Sequence, residues 1–189
     1  MKTTPLKLTL IANFIALGVA LGYALALIPN VELVTFTIFL GGYSMGWREG
    51  AFIGLVTEFI YSNFNIYGPA PFHVLTGQII GMMLAGIAGG LMRFVVQPAP
   101  MRLWGRLLLA TTGILVTMCF DFLTTIGDVI LADGHMDFFI ARIVQGAPYY
   151  IIHPIANGLI FFFLLPLTAG VIEKLPPFKS YKSQILQGR

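Results

Sequence analysis

The side chains able to do chemistry are few, and several stand where an apolar chain has little reason to keep them. Glu58 interrupts the run Ala51–Tyr61. Asp121 and Asp128 are seven residues apart, with Thr117, Thr124 and Thr125 at spacings that share one face of a helix. His153 and Asn157 are four apart and share a helix face, and His73 and Gln78 stand near the start of another apolar run. An imidazole beside carboxylates can move protons, and the same groups can hold a polar ligand against apolar walls. Gly42-Tyr43-Ser44-Met45-Gly46 also spells the Gly-x-Ser-x-Gly of a serine nucleophile elbow. That elbow needs a strand leading into a sharp turn, whereas an apolar helix leads into Ser44. It also needs a histidine in reach, yet His73, His135 and His153 fall at the opposite ends of their helices, on the order of 20 Å away at 1.5 Å per residue. Ser44 is therefore read as a bystander. No His-Glu-x-x-His spacing and no glycine-rich phosphate loop after a strand is present, so neither a metal nor a nucleotide cofactor is expected.

The elements that must position these groups follow from composition. The chain is 57% hydrophobic and 10% charged, with mean hydropathy +0.86, against about 45–50% and about 25% for soluble domains. A bilayer is the natural solvent. Six segments, at about 6–28, 31–47, 50–64, 72–95, 107–131 and 149–172, are apolar enough to span it, the second and third being short against the usual ~20 residues. The expectation is an all-α, polytopic membrane protein: one domain over residues 1–189, a bundle of six transmembrane helices. With the N-terminus in the cytoplasm, Lys2, Lys7, Arg48, Arg93, Arg102, Arg106, Lys174, Lys179, Lys182 and Arg189 lie inside and Arg142 alone outside. That asymmetry places both termini in the cytoplasm of a cell whose plasma or inner membrane holds the chain. It also explains the basic residues without a nucleic-acid partner. The first apolar run exceeds a signal peptide's h-region and reads as a retained helix. The tail after Glu173 reads as a short solvated end, and Cys119 as a small buried hydrophobe.

Small residues recur at four-residue spacing. Helix one carries Ala12, Ala16, Ala20 and Ala24, with Gly18 and Gly22 close by; helix four carries Gly77, Gly81, Ala85 and Gly89; helix three has Gly50 and Gly54. Such stripes let helix backbones approach closely. Either stripe can pack inside this bundle or be shown to another membrane subunit. The stripe on helix one, running almost its whole length beside Asn13, suits the second role.

Ionisable residues inside spans are functional candidates by default, and here they converge on one end of helices three to six. The expected substrate-binding set is Glu58, Tyr61, Asn65, Tyr67, His73, Asp121, Asp128, Tyr149, His153 and Asn157. An interfacial aromatic belt accounts for some of the tyrosines but not for the carboxylates, histidine and asparagine. The loop Asn63–Pro71, with its glycine and prolines, has the turn chemistry of a lid, and Met136–Gln145 could form a separate short amphipathic helix over the opening.

Three stretches in order carry a family resemblance: Ile28-Pro29-Asn30-Val31-Glu32-Leu33-Val34-Thr35 after the alanine-striped helix, the Asn/Gly/Pro loop before helix four, and Tyr150-Ile151-Ile152-His153-Pro154-Ile155-Ala156-Asn157. From about Asn13 to Leu165 the chain resembles the substrate-binding S component of energy-coupling factor (ECF) transporters. The resemblance implies six helices and high-affinity capture of a vitamin or related micronutrient. It also implies docking of helix one, here Ala12, Ala16 and Ala20, on a membrane coupling subunit driven by two ABC-type ATPases. ATP hydrolysis would then belong to those partners, and this chain would not be an enzyme. Lys2 and Thr3 replace the Met-His start of nickel and cobalt members, so metal cargo is not expected. Carboxylates without a facing cation suit a cationic or neutral ring compound: thiamine-like, aminopyrimidine-like, or a cobamide. The alternatives are a membrane-embedded enzyme using Glu58, Asp121, Asp128 and His153 as acid–base groups, a self-contained transporter, or a scaffold subunit.

Overall fold

The computed structural model describes residues 4–28, 31–66, 68–97, 101–131 and 135–187, without the side chains of 128, 130, 131 and 185–187. The described residues form seven helices and no strand: α1 (Pro5–Leu25), α2 (Val34–Met45), α3 (Trp47–Asn63), α4 (Phe72–Met92), α5 (Leu103–Leu131), α6 (Met136–Ile172) and α7 (Pro176–Gln187). α1, α4, α5 and α6 are long and apolar enough to cross a membrane. Large apolar side chains such as Phe52, Phe59, Leu115, Phe122, Phe163 and Leu167 point outward, as lipid-facing positions must where no water surrounds the helix.

α2 is the central element. Every one of its residues from Val34 to Met45 is buried, against α1, α3, α4 and α6. Twelve residues rise only about 18 Å, well short of a hydrocarbon core of about 30 Å, which leaves space beyond one of its ends. At the other end the chain reverses into α3 through Gly46, whose φ of 125° favours glycine. Backbones around this elbow touch directly. A Cβ on Gly42 or Gly50 would fall on the Gly86 carbonyl of α4, and one on Gly89 would fall on the Phe39 carbonyl.

α1 lies at the edge of the bundle, packed on α2, α3 and α7. Thr4 caps its start by accepting from Lys7 N (3.3 Å). Two regions depart from the expected boundaries. Met136–Gln145 is not a separate helix but the first turns of α6, which runs unbroken through Pro148, Pro154 and Pro166. A proline inside a helix deletes one hydrogen bond and bends the rod without necessarily ending it. The tail is not a solvated end: α7 buries Phe178 and Tyr181, with Phe178 edge-on to Phe14 of α1 at 6.0 Å.

Candidate functional site: a cavity walled by carboxylates and an imidazole

The space beyond α2 is a cavity of about 400 Å³. Its wall is built from the end of α1 and the α1–α2 connection (Gly22, Leu25, Ile28, Val31, Glu32), from Val34, and from Glu58, Tyr61, Gln78, Met82, Phe120, Tyr149 and His153 of α3 to α6. No lysine or arginine is among these lining residues.

Its polar groups form a connected network. Glu32 Oε2 accepts from Thr35 N at 2.8 Å, satisfying one of the free donors at the start of α2, where the helix dipole also favours a negative charge. Glu32 Oε1 accepts from Asn157 Nδ2 at 3.0 Å and stands 3.5 Å from His153 Nε2. Asn157 Nδ2 also donates to Thr117 Oγ1 at 3.0 Å. On its far side His153 Nδ1 donates to Asp121 Oδ1 at 2.9 Å. The imidazole is thus held between two carboxylates, its ring edge-on to Phe120. Pro154 follows His153 directly and supplies no backbone N–H, so the main chain of α6 is loosened where it faces the cavity. On α3, Ser62 Oγ donates to Glu58 Oε1 at 2.7 Å and lies 3.1 Å from Gln78 Oε1. Thr125 and Tyr150 share a hydrogen bond of 2.5 Å above the Asp121–His153 pair.

Glu58 and Asn157 are each 1% exposed and His153 7%. Buried polar atoms are nearly always paired. Among the described residues, the buried side-chain polar atoms with no hydrogen-bond partner are Thr57 Oγ1, Glu58 Oε2, Asp121 Oδ2, His153 Nε2 and Asn157 Oδ1. Two belong to lining residues. Asp121 and Asn157 are each one hydrogen bond from the wall, so four of the five atoms lie on or directly behind it, whereas the Thr57 side chain packs against Gly18 of α1.

Of the residues singled out in the sequence, Glu58, Tyr61, Tyr149 and His153 line the cavity, with Asp121 and Asn157 directly behind. His73 and Asn65 do not line it: His73 sits where α4 starts against Gly127 of α5, and Asn65 hydrogen-bonds Tyr61 from outside the wall. Tyr67 and the Asp128 side chain lie outside the described residues. The described residues of the Asn63–Pro71 loop do not line the wall. Phe64 O accepts from the Tyr23 hydroxyl at 2.9 Å and Asn65 O from Gly68 N at 3.0 Å, and the α1–α2 connection borders the cavity instead. Glu32 is the functional candidate that sequence reasoning missed. It lies within the segment taken as the second span, so the rule that singled out Glu58 applied to it equally.

The Asp121–His153 pair has the make-up of a proton-transfer dyad, yet no hydrogen bond joins His153 to a hydroxyl or thiol among the described residues. Ser44 is buried near the Gly46 elbow, at the end of α2 away from Glu32. What the arrangement offers is acceptor capacity in an acid-rich wall.

No family model, curated protein or solved structure matches the chain.

Proposed function

We infer that the chain is the membrane-embedded substrate-binding subunit of a micronutrient importer, of the ECF S-component type. One observation carries this reading: four unpartnered, buried polar atoms lie on or directly behind the wall of a single cavity, which is how a site looks when its remaining hydrogen bonds are to be made by a ligand. In this reading α1 to α6 each cross the bilayer of the plasma or inner membrane. Both termini are cytoplasmic, and the cavity opens to the exterior. The carboxylates of Glu32, Glu58 and Asp121 face no lysine or arginine across the wall, which favours a cationic or neutral nitrogen ring over biotin, pantothenate or folate. About 400 Å³ accommodates one or two such rings and is small for a cobamide. The exposed alanines of α1, Ala12, Ala16, Ala20 and Ala24, would meet the coupling subunit. Two ATPases beneath that subunit would supply the energy.

Titration calorimetry of the detergent-purified chain against a vitamin panel tests the reading. Sub-micromolar binding of thiamine or an aminopyrimidine is expected. Tight binding of biotin or folate alone would refute the charge argument, and silence across the panel would refute the binding-subunit reading.

A further inference from the structure

Among the described residues the imidazole of His153 is the sole basic side chain on the cavity wall, and it is placed as a cation would be. Asp121 from α5 takes its Nδ1 proton at 2.9 Å, and Glu32 from the α1–α2 connection stands 3.5 Å from Nε2. A neutral imidazole has one N–H, which Asp121 takes; only an imidazolium carries a second proton, on the Nε2 that faces Glu32. The other titratable groups sharing the wall are Glu58 and Tyr61 on α3 and Tyr149 on α6, while α2 and α4 bring it no charged side chain. Three carboxylates with one resident counter-charge leave the site short of positive charge, since buried charges persist only when paired.

A cation entering beside Glu32 and Glu58 would meet that shortage from the ligand's side and take over the carboxylate that His153 Nε2 faces. Two positive charges would then share a small, poorly screened space, and repulsion between them is relieved when one leaves as a proton. The geometry points to a built-in exchange: the resident imidazolium of His153 holds the site until a cationic ligand arrives, and binding expels its proton to solvent. The balance is simple, with one positive charge in, one proton out, and no bond formed. The exchange rests on the binding-subunit reading and names the charge class of the ligand.

Reciprocity fixes the consequence. If the ligand releases a proton, raising the pH must tighten the ligand, by up to about tenfold per pH unit for one proton. A neutral ligand of the same shape has no such slope.

The test uses the full chain in lipid nanodiscs with ¹⁵N-labelled histidine. The probes are thiamine, which carries a permanent thiazolium charge, and its neutral fragment 4-amino-5-hydroxymethyl-2-methylpyrimidine. The His153 signals, assigned by their loss in His153→Gln, should be those of a doubly protonated ring at pH 7.5 in the empty protein. They should become those of a singly protonated ring on saturation with thiamine. Calorimetry in two buffers of different ionisation enthalpy should count about one proton released with thiamine and none with the pyrimidine. Thiamine binding with the ring still doubly protonated, or with no proton released, would overturn the exchange and leave the binding-subunit reading intact. A ring already singly protonated in the empty protein would overturn it without any ligand. Binding of the neutral pyrimidine but not thiamine would overturn the cation assignment, and no binding by either probe or the wider panel would bring down both readings together.

Discussion

The two ends of the bundle both bury charged and hydroxyl side chains, and they treat them differently. At the elbow end every major group has a partner. Lys7 Nζ meets Glu49 Oε1 at 2.5 Å with both side chains nearly buried. The Tyr43 hydroxyl donates to Val96 O at 2.6 Å, the Tyr181 hydroxyl donates to Met45 O at 3.3 Å, and Lys182 pairs with Glu173. Burial, with Glu49 nearby, pushes the Tyr181 phenol up to about 12, so it stays a donor at any physiological pH. At the cavity end, acids outnumber bases and four unpartnered buried atoms gather on or directly behind the wall. Closed pairs of this kind tie α1 to α3, α7 to α2, and α2 to the segment after α4. An open set costs stability, and a chain that retains such a cost is keeping the groups for something outside itself.

The sharpest way to break this contrast is to orphan a charge at the closed end. Lys7→Met takes from buried Glu49 the lysine it is paired with, and removing one partner of a buried pair costs about 3–5 kcal/mol. Denaturation in detergent should show a loss of that size, while the double variant Lys7→Met/Glu49→Leu should recover most of it. A loss below about 1 kcal/mol would mean that water reaches the pair and that the elbow end is not closed.

The opposite signature is expected at the cavity end. Glu58→Gln removes a buried carboxylate whose Oε2 has no partner, so stability should stay within about 1 kcal/mol of the parent or rise. Ligand affinity should fall by roughly 10- to 150-fold, corresponding to the ~1.5–3 kcal/mol of a hydrogen bond to a charged group. Stability loss without affinity loss would turn Glu58 into a structural residue and dissolve the contrast between the ends.

How much of this contrast was legible in the residues themselves varies by element. α4 was read as 72–95 and is Phe72–Met92, because a long apolar run bounded by Pro71 and Arg93 leaves little choice of register. The convergence of Glu58, Asp121, His153 and Asn157 was legible for a similar reason: alternating spans bring the same ends of successive helices to one level. The α6 extension was not, since Gln145-Gly146-Ala147-Pro148 carries stop signals that packing overrides. α7 was hidden because its burial depends on Phe14, far away in the chain, and not on its own polar composition. Glu32 was hidden by being read as part of a recognisable run instead of as a charge at a helix start. The lining role of the α1–α2 connection, rather than the Asn63–Pro71 loop, depends on which way two loops fold, which turn chemistry does not specify.

A smaller effect sharpens the comparison at the elbow end. Tyr181→Phe keeps the buried ring and deletes only the hydroxyl that bonds Met45 O, just before Gly46. The cost should be about 1 kcal/mol, read as a modest shift in the unfolding midpoint with ligand affinity unchanged. Equal loss of affinity would show that the elbow and the cavity respond as one unit through α2.

The smallest effect on stability is expected where the bundle shows a face to its surroundings. Two small-residue stripes run through this chain. Gly77, Gly81, Ala85 and Gly89 of α4 are all buried, spent on contacts with α5 and α2: a Cβ on Gly77 would fall on the Leu123 carbonyl and one on Gly81 against Phe120. On α1 it is Gly18 and Gly22 that turn inward, to Thr57 and Tyr61, while Ala12, Ala16, Ala20 and Ala24 are all exposed. An exposed apolar position has no neighbour in this chain to clash with, so Ala16→Trp should change stability by no more than about 0.5 kcal/mol and leave ligand affinity untouched. If the stripe seats a coupling subunit, the same tryptophan must hold the two backbones apart, and ATPases should no longer co-purify with the chain. Retention of the complex would show that the partner sits elsewhere, whereas loss of folding would show that the face is already occupied within the chain itself.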